Sequence, residues 1–514
     1  MLVTALLLRP RLEPLARKLA TRTVPCMLVL TALPVVLRMA LLAGNPVPRP
    51  KVADDFSYLL LGDTIAHFRL ANPIHPMRRF FEGVFTLQEP TYSSIYPAGQ
   101  GLVLAFGQLV FGHPWAGVVI SAAAICALCY WMLRAWTTPV WALAGGLLAV
   151  FEFGPLSPWM NLYWGGAVSA AAGCLIFGSL PRRNAGLLGL GLALQLLTRP
   201  FEFLLVLFIV LLFFRRNLRP VVIAALVMLP AIGLTLLQNK QVTGSWTTLP
   251  YVLSRYQYGI PTTFTFQPNP VPHKPLTQEQ QIDYEAQARA HGDGTDTIGA
   301  WIERLGKRIR FYRFFFLAPL YLAIPAFLIS FRDPRHRWII LSLAMLWAGT
   351  GFYPYFYPHY IAAATCLFIL VSIKGLELIC RVNQEAVTLI LLFCLAHFVF
   401  WYGVYFYGDQ SLLAAAANYE GQYSTGVGDP DGRIAVDRQL AQSPGKQLVF
   451  VRYSAQHGGH EWIRNVAVID RARVVWALDL GPEEDEKLRR YYPDRNAWLL
   501  EPDSRPPKLS NYPD

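Results

Sequence analysis

Residues 97–112 read PAGQGLVLAFGQLVFG. The stretch is apolar, but it is short, rich in glycine and interrupted by Gln100 and Gln108. A bilayer span needs roughly 17–25 mostly apolar residues. Whether 97–112 crosses is decisive, because one span more or less reverses the side of every later loop. The rest of the chain supplies the test. It has 514 residues, is 54% hydrophobic and carries only 15% charged residues, against about 25% in a soluble protein. Apolar blocks near span length recur at 23–43, 114–133, 138–154, 165–180, 185–198, 201–214, 220–238, 314–331, 338–353, 357–373 and 387–407. That is the pattern of an all-α polytopic membrane protein.

The short basic loops settle the stretch. If 97–112 does not cross, Arg134, Arg182, Arg183, Arg215, Arg216, Arg219, Arg332, Arg335, Arg337, Lys374 and Arg381 share one side. It is the side of the basic N-terminus, with Arg9, Arg11, Arg17, Lys18 and Arg22, as the positive-inside rule requires. If it crosses, nearly all of them fall outside. We therefore read 97–112 as an interfacial or re-entrant helix and count about eleven spans. Residues 1–22 are then a cytoplasmic segment, without the small-residue cleavage site of a leader. Residues 23–407 form the membrane domain of an inner (plasma) membrane protein. Its first outer loop is 44–113 and its long outer loop 239–313. Residues 408–514 form a small extracytoplasmic α/β domain, with strands expected at 447–453, 465–469, 473–478 and 496–500 and a helix opening at Gly481.

Several function classes drop out. The net charge of +12 sits largely in topology-setting loops, so nucleic acid is not an expected partner. All seven cysteines lie in or beside apolar segments, which argues against a disulfide framework or a zinc site. Cys126 and Cys129 have CxxC spacing inside a span, where packing explains them. No nucleotide-binding loop is visible. The His457-Gly-Gly-His460 stretch reads as a turn.

The elaborated polar sequence lies outside, and candidate chemistry lies with it. The first outer loop opens with Asp54 and Asp55 in ADDFSYLLLGD. At a helix N-terminus acids complement the dipole. Adjacent carboxylates also repel, which raises one of them toward general-base range. Polar residues at other outer span ends share that side: Glu152, then Asn161, Tyr163 and Trp164 in SPWMNLYWGG, then Arg199 and Glu202, then His359 and Tyr360 after FYPYFYP. Ionisable groups at membrane depth are costly and usually face a cavity. Arg199 and His359 are candidates for contacting a phosphate. Tyr96, before Pro97, is placed to line a cavity mouth. Asp63 and His67, four apart on a helix, read as local structure more than as a metal site.

This order of features resembles the GT-C superfamily of membrane glycosyltransferases. The branch it is most similar to holds the protein O-mannosyltransferases and the lipid A aminoarabinose transferase. The resemblance rests on one span, a loop opening with paired acids, YPAGQG before an apolar interfacial helix ending FGHPWAG, many spans, PHY at 358–360 and a soluble outer tail. It covers roughly 23–407 and is weak in the tail. Asp54 matches the family's aspartate near the reacting sugar; Asp55 stands where glutamate is common. The resemblance implies a polyprenyl-phosphate-linked sugar donor among membrane lipids and a glycan, lipid or protein acceptor. It also implies transfer on the outer face, with Asp54 as base. A divalent metal on Asp54 and Asp55 is equally compatible with the pair. A transporter or lipid flippase is the competing class. It calls for midplane ionisable residues and internal repeats, and neither is visible. A non-catalytic scaffold acting through the tail is a third.

Overall fold

The computed structural model describes residues 13–292, 294, 296–408, 410–417, 429 and 431–513. Arg9 and Arg11 lie outside them. The chain is mostly helical, with a mixed sheet at its C-terminal end. Five helices are long and apolar enough to cross a membrane: Thr23–Ala40 (α1), Pro114–Leu133, Arg219–Thr243, Pro358–Val382 and Gln384–Tyr407. At about 1.5 Å per residue an 18-residue helix spans about 27 Å, close to the hydrocarbon thickness. Five shorter apolar helices join them: Ala98–Phe111, Pro139–Phe153, Ala167–Arg182, Ala185–Thr198 and Pro200–Phe213. The molecule is an integral membrane protein.

The helix Ala53–Ala66 (α2) follows α1 and carries the paired acids in its first turn. The decisive stretch forms its own helix, Ala98–Phe111 (α3), ended by Gly112 in the left-handed conformation (φ 75°). The first turn of α3 meets Tyr163, whose carbonyl accepts from Gln100 Nε2 at 2.7 Å. Its last turn abuts the start of Pro114–Leu133 (α4). The start of α4 itself reaches Met160, through Trp115 Nε1 donating to its carbonyl at 2.8 Å. Both ends of α3 therefore lie at one end of the bundle. Small residues allow this packing: a Cβ on Gly117 would sit 2.0 Å from the Val103 carbonyl oxygen.

The bundle continues through Pro139–Phe153 (α5), Ala167–Arg182 (α6), Ala185–Thr198 (α7), Pro200–Phe213 (α8) and Arg219–Thr243 (α9). α6 is buried from Ala167 to Leu180. It lies so close to 358–364 that a Cβ on Gly173 would fall 1.9 Å from the Ala363 carbonyl oxygen. Small residues of this kind let membrane helices approach backbone to backbone. The long loop holds Pro250–Tyr258 (α10), Gln278–His291 (α11) and Ile298–Arg308 (α12).

Of about eleven expected spans, five are helices long and apolar enough to cross, six if the bent pair below counts as one, and the others are shorter helices. Residues 314–331 are not a single helix: Ile298–Phe315 and Ala318–Ile329 meet at a bend of 116°. Pro319 and Pro325 lie in this stretch, and proline interrupts the helical hydrogen-bond ladder. Pro334–Thr350 (α13), Thr365–Val382 (α14) and Gln384–Tyr407 (α15) complete the bundle.

In the tail, strands Lys446–Val451 (β3), Val474–Leu478 (β4), Arg495–Glu501 (β5) and Lys508–Asn511 (β6) form a sheet of order β4-β3-β5-β6; β1 and β2 are the two-residue strands Thr86–Leu87 and Ser93–Ser94. β3 is parallel to β4 and β5, and β6 runs antiparallel to β5. The expected strand at 465–469 is absent. Asn465 instead pairs with Trp476 through its side chain, Nδ2 donating to the Trp476 carbonyl (2.7 Å) and Oδ1 accepting from its N–H (3.0 Å). That single amide takes the place of a strand partner. The tail also shares a hydrophobic cluster with the first loop: Leu60, Phe80, Phe81 and Tyr92 pack with Leu448, Phe450 and Val475.

Candidate active site

Successive residues of a helix point about 100° apart, and that separates the paired acids. Asp55 turns inward and is fully buried. Its Oδ2 accepts from the N–H of Lys51 (2.9 Å) and of Val52 (3.4 Å), and its Oδ1 accepts from the Tyr163 N–H (3.0 Å). Burial pushes this carboxyl up to about 6, against the pull of the Lys51 and Tyr163 amides. Asp55 thus caps α2 and ties it to the loop after α5. Asp54 turns the other way, into a cavity of about 640 Å³. Burial holds its carboxyl above the ordinary carboxylate range, opposed by the Tyr96 hydroxyl and the charge of Arg199. Tyr96 donates its O–H to Asp54 Oδ1, and its ring stacks on Tyr58 at 4.1 Å. The two acids do not face one point, so as a pair they do not fit a metal ion. Among the described residues no three His, Cys, Asp or Glu side chains form a metal-holding group.

A second wall comes from the break between α7 and α8. Pro200 opens α8, leaving Arg199 in non-helical conformation (φ −143°, ψ 80°) at the junction. The Arg199 guanidinium lies 5.3 Å from the centre of the Tyr360 ring, and its Nε is buried without a hydrogen-bond partner among the described residues. Glu202 follows in the first turn of α8, with the Tyr353 hydroxyl 3.4 Å from its Oε1. A third wall is the 353–360 run. His359 meets the Trp164 ring edge-on at 4.7 Å and stacks on Tyr357 at 5.6 Å. Asp54, Tyr96, Trp164, Arg199, Glu202, His359 and Tyr360 therefore line one cavity.

The other expected residues stand behind it. Asn161 is buried and accepts from Arg38 Nε at 2.7 Å, while its Nδ2 donates to the carbonyls of Pro155 (3.0 Å) and Ser157 (2.8 Å). Tyr163 gives its N–H to Asp55 and its O–H to the Pro48 carbonyl (2.8 Å). Asn161 ties the 155–166 loop to α1, and Tyr163 ties it to the start of α2. Glu152 is buried on α5 beside α15, where the neighbouring Phe151 stacks on Phe398 at 4.8 Å. It is not part of the cavity wall.

The roof comes from the long loop, where the sequence carries little signal. Tyr251 and Arg255 of α10, and Asp283 and Gln287 of α11, line the cavity with Tyr355. Arg255 donates Nε to the Pro261 carbonyl (3.0 Å) and Nη2 to that of Thr262 (3.2 Å). Burial pushes the Asp283 carboxyl up to about 7, with the nearby Asp54 charge adding to the rise and Gln287 opposing it. Only the i, i+4 spacing of Asp283 and Gln287 in EQQIDYEAQ hints at a shared face. The cavity thus joins three carboxylates, Asp54, Glu202 and Asp283, to Arg199, Arg255 and a wall of tyrosines. It can take a proton, hold an anion and stack against a ring.

No family model and no curated protein sequence matches the chain. Solved structures do. The oligosaccharyltransferase of Archaeoglobus fulgidus, in a complex with zinc and sulfate, matches at 12% identity and a TM-score of 0.49, over 93% of this chain and 67% of that one. The archaeal oligosaccharyltransferase AglB from Archaeoglobus fulgidus, in complex with an inhibitory peptide and a dolichol-phosphate, matches at 12% identity and a TM-score of 0.44, over 92% of this chain and 69% of that one. ArnT from Cupriavidus metallidurans, in the apo state, matches at 12% identity and a TM-score of 0.48, over 92% of each chain. At such identities the roles of individual residues rest on this chain's own geometry.

Proposed function

We propose that the protein is a glycosyltransferase that moves a hexosyl or pentosyl group from a polyprenyl-phosphate-linked donor to an acceptor within this cavity. Asp54 is the general base. The observation that carries the reading is a half-buried, cavity-facing carboxylate sharing one aromatic-lined pocket with an arginine. Arg199, unneutralised by any close carboxylate contact among the described residues, receives the donor phosphate, with His359 beside it. As the bond to the anomeric carbon breaks, charge grows on the phosphate oxygen, and a fixed cation stabilises it. Tyr96 holds one oxygen of Asp54 and leaves the other to take the acceptor's hydroxyl proton. Base-assisted attack from the opposite face inverts the anomeric centre, as a single displacement does.

The shared side of the basic loops supports about eleven spans, with the N-terminus in the cytoplasm of an inner (plasma) membrane protein. The cavity then opens on the extracytoplasmic side, in the cell envelope. A lipid-borne donor fits a site reached from the bilayer and without a nucleotide loop. The test incubates the purified protein in nanodiscs with membrane lipid extract and follows sugar transfer by mass spectrometry. Asp54→Asn should lower transfer at least about a hundredfold while donor lipid still binds. A fully active Asp54→Asn protein overturns the assignment; substrate uptake into vesicles with no transfer product favours the transporter class.

A further inference from the structure

Helix α11 works at two places along its length. Its first turn meets the tail. Glu279 Oε1 lies 2.5 Å from His457 Nε2, and His457 Nδ1 lies 2.6 Å from Asp503 Oδ1. Gln278 Nε2 donates to the Ser454 carbonyl at 2.5 Å. Gly459, at a φ of 79°, passes so near that a Cβ there would lie 3.1 Å from Ile282 Cγ2. His457, which reads as a turn residue in the sequence, is an interdomain bolt buried at 8% exposure.

One and two turns further along, and on nearly the same side of the helix as Glu279, Asp283 and Gln287 form the cavity roof. Gln287 is tied at both ends of its amide: Nε2 donates to Asp283 Oδ2 (2.6 Å), and Oε1 accepts from the Thr262 N–H (2.8 Å) and the Tyr355 O–H (3.1 Å). One oxygen of Asp283 is therefore fixed. The other has no hydrogen bond among the described residues. Arg255 does not neutralise it, being spent on the carbonyls of Pro261 and Thr262. The ligand group that meets Asp283 must bring hydrogen-bond donors and no negative charge of its own, with Asp54 and Glu202 in the same cavity. Sugar hydroxyls meet that demand, and the rings of Tyr355 and Tyr357 offer flat faces for the C–H side of a sugar.

We propose that Asp283 is a saccharide-hydroxyl subsite in the cavity roof, held in place from the tail by His457 through α11. The proposal rests on the glycosyl-transfer reading for the lipid that carries the sugar. The tail thereby acquires a role in the site, with His457 as a positioning residue that does not touch the ligand. Charge-assisted hydrogen bonds of this kind discriminate strongly when the ligand group is missing.

The experiment measures binding to the full-length protein in nanodiscs. The probes are undecaprenyl phosphate and the same lipid bearing glucose, mannose, galactose or N-acetylglucosamine. At least one sugar-bearing lipid should bind about tenfold tighter than undecaprenyl phosphate. Asp283→Asn should erase that gain and leave undecaprenyl phosphate affinity unchanged. His457→Ala should erase it too, His457→Gln should restore part of it, and His457→Ala should add nothing in the Asp283→Asn background. A gain that survives Asp283→Asn overturns the subsite, as does the absence of any gain. Additive losses, or a lowered Tm with the gain intact, overturn the positioning role. If undecaprenyl phosphate itself fails to bind, the glycosyl-transfer reading falls first.

Discussion

Adjacent aspartates at the start of α2 have opposite duties, and the difference is measurable. Asp54 faces the cavity, so Asp54→Asn should remove turnover with little change in Tm. Asp55 accepts three backbone N–H groups out of water. Asp55→Ala leaves them without a partner, at a cost of about 1–3 kcal/mol, and a thermal melt should show the drop. Asp283 supplies a pH signature. Its carboxyl is held near 7 in the folded protein, above its unfolded value of about 3.9. The folded state therefore binds the extra proton between those limits, and stability falls as pH rises from about 4 to 7. Asp283→Asn should flatten that slope in melts across the range; an unchanged slope assigns it to another group. The sequence made Asp54, Arg199 and His359 legible because ionisable residues at span ends have few innocent explanations. It could not separate Asp54 from Asp55, because rotation about a helix axis shows only once the partners on each side are known. Asn161 and Tyr163 misled for the same reason: a polar residue bracing a loop and one lining a cavity look alike in one dimension.

At the scale of elements, close backbone approach positions the site. α6 presses on 358–364, the segment carrying His359 and Tyr360, through Gly173. Gly173→Ala should cost about 1–3 kcal/mol through overpacking and lower activity by displacing His359. Gly233, in the middle of α9, has open space around it: a Cβ there would meet nothing within 4 Å among the described residues. Gly233→Ala should be neutral or slightly stabilising, since alanine is the better helix former. Comparing both Tm and turnover in the two variants separates backbone contact from general helix propensity. Hydrophobic blocks made most of these helices readable. The broken region after α12 was not, because hydropathy averages over Pro319 and Pro325 and is blind to a 116° bend.

At the scale of the whole molecule, the tail is separate in sequence and continuous in packing. The composition change near 408 is plain, but the cluster joining Leu60, Phe80, Phe81 and Tyr92 to Leu448, Phe450 and Val475 belongs to neither part alone. Polar ties reinforce it: Glu461 Oε2 accepts from the Val84 N–H at 2.8 Å, and Asp63 Oδ2 from the Ala467 N–H at 2.7 Å. The loop that opens with Asp54 is therefore folded against the tail, and truncating the tail would uncover it. A point change is the cleaner probe. Phe450 is fully buried, packing on Phe80 at 6.3 Å and Tyr512 at 4.8 Å between ring centres. Phe450→Ala should cost about 3–5 kcal/mol. If first loop and tail open as one cooperative unit, limited proteolysis of this variant should cut both together, at matching rates, and transfer should fall in step. Cuts confined to the tail, with 44–113 still protected and activity intact, would show that the membrane domain holds its first loop unaided.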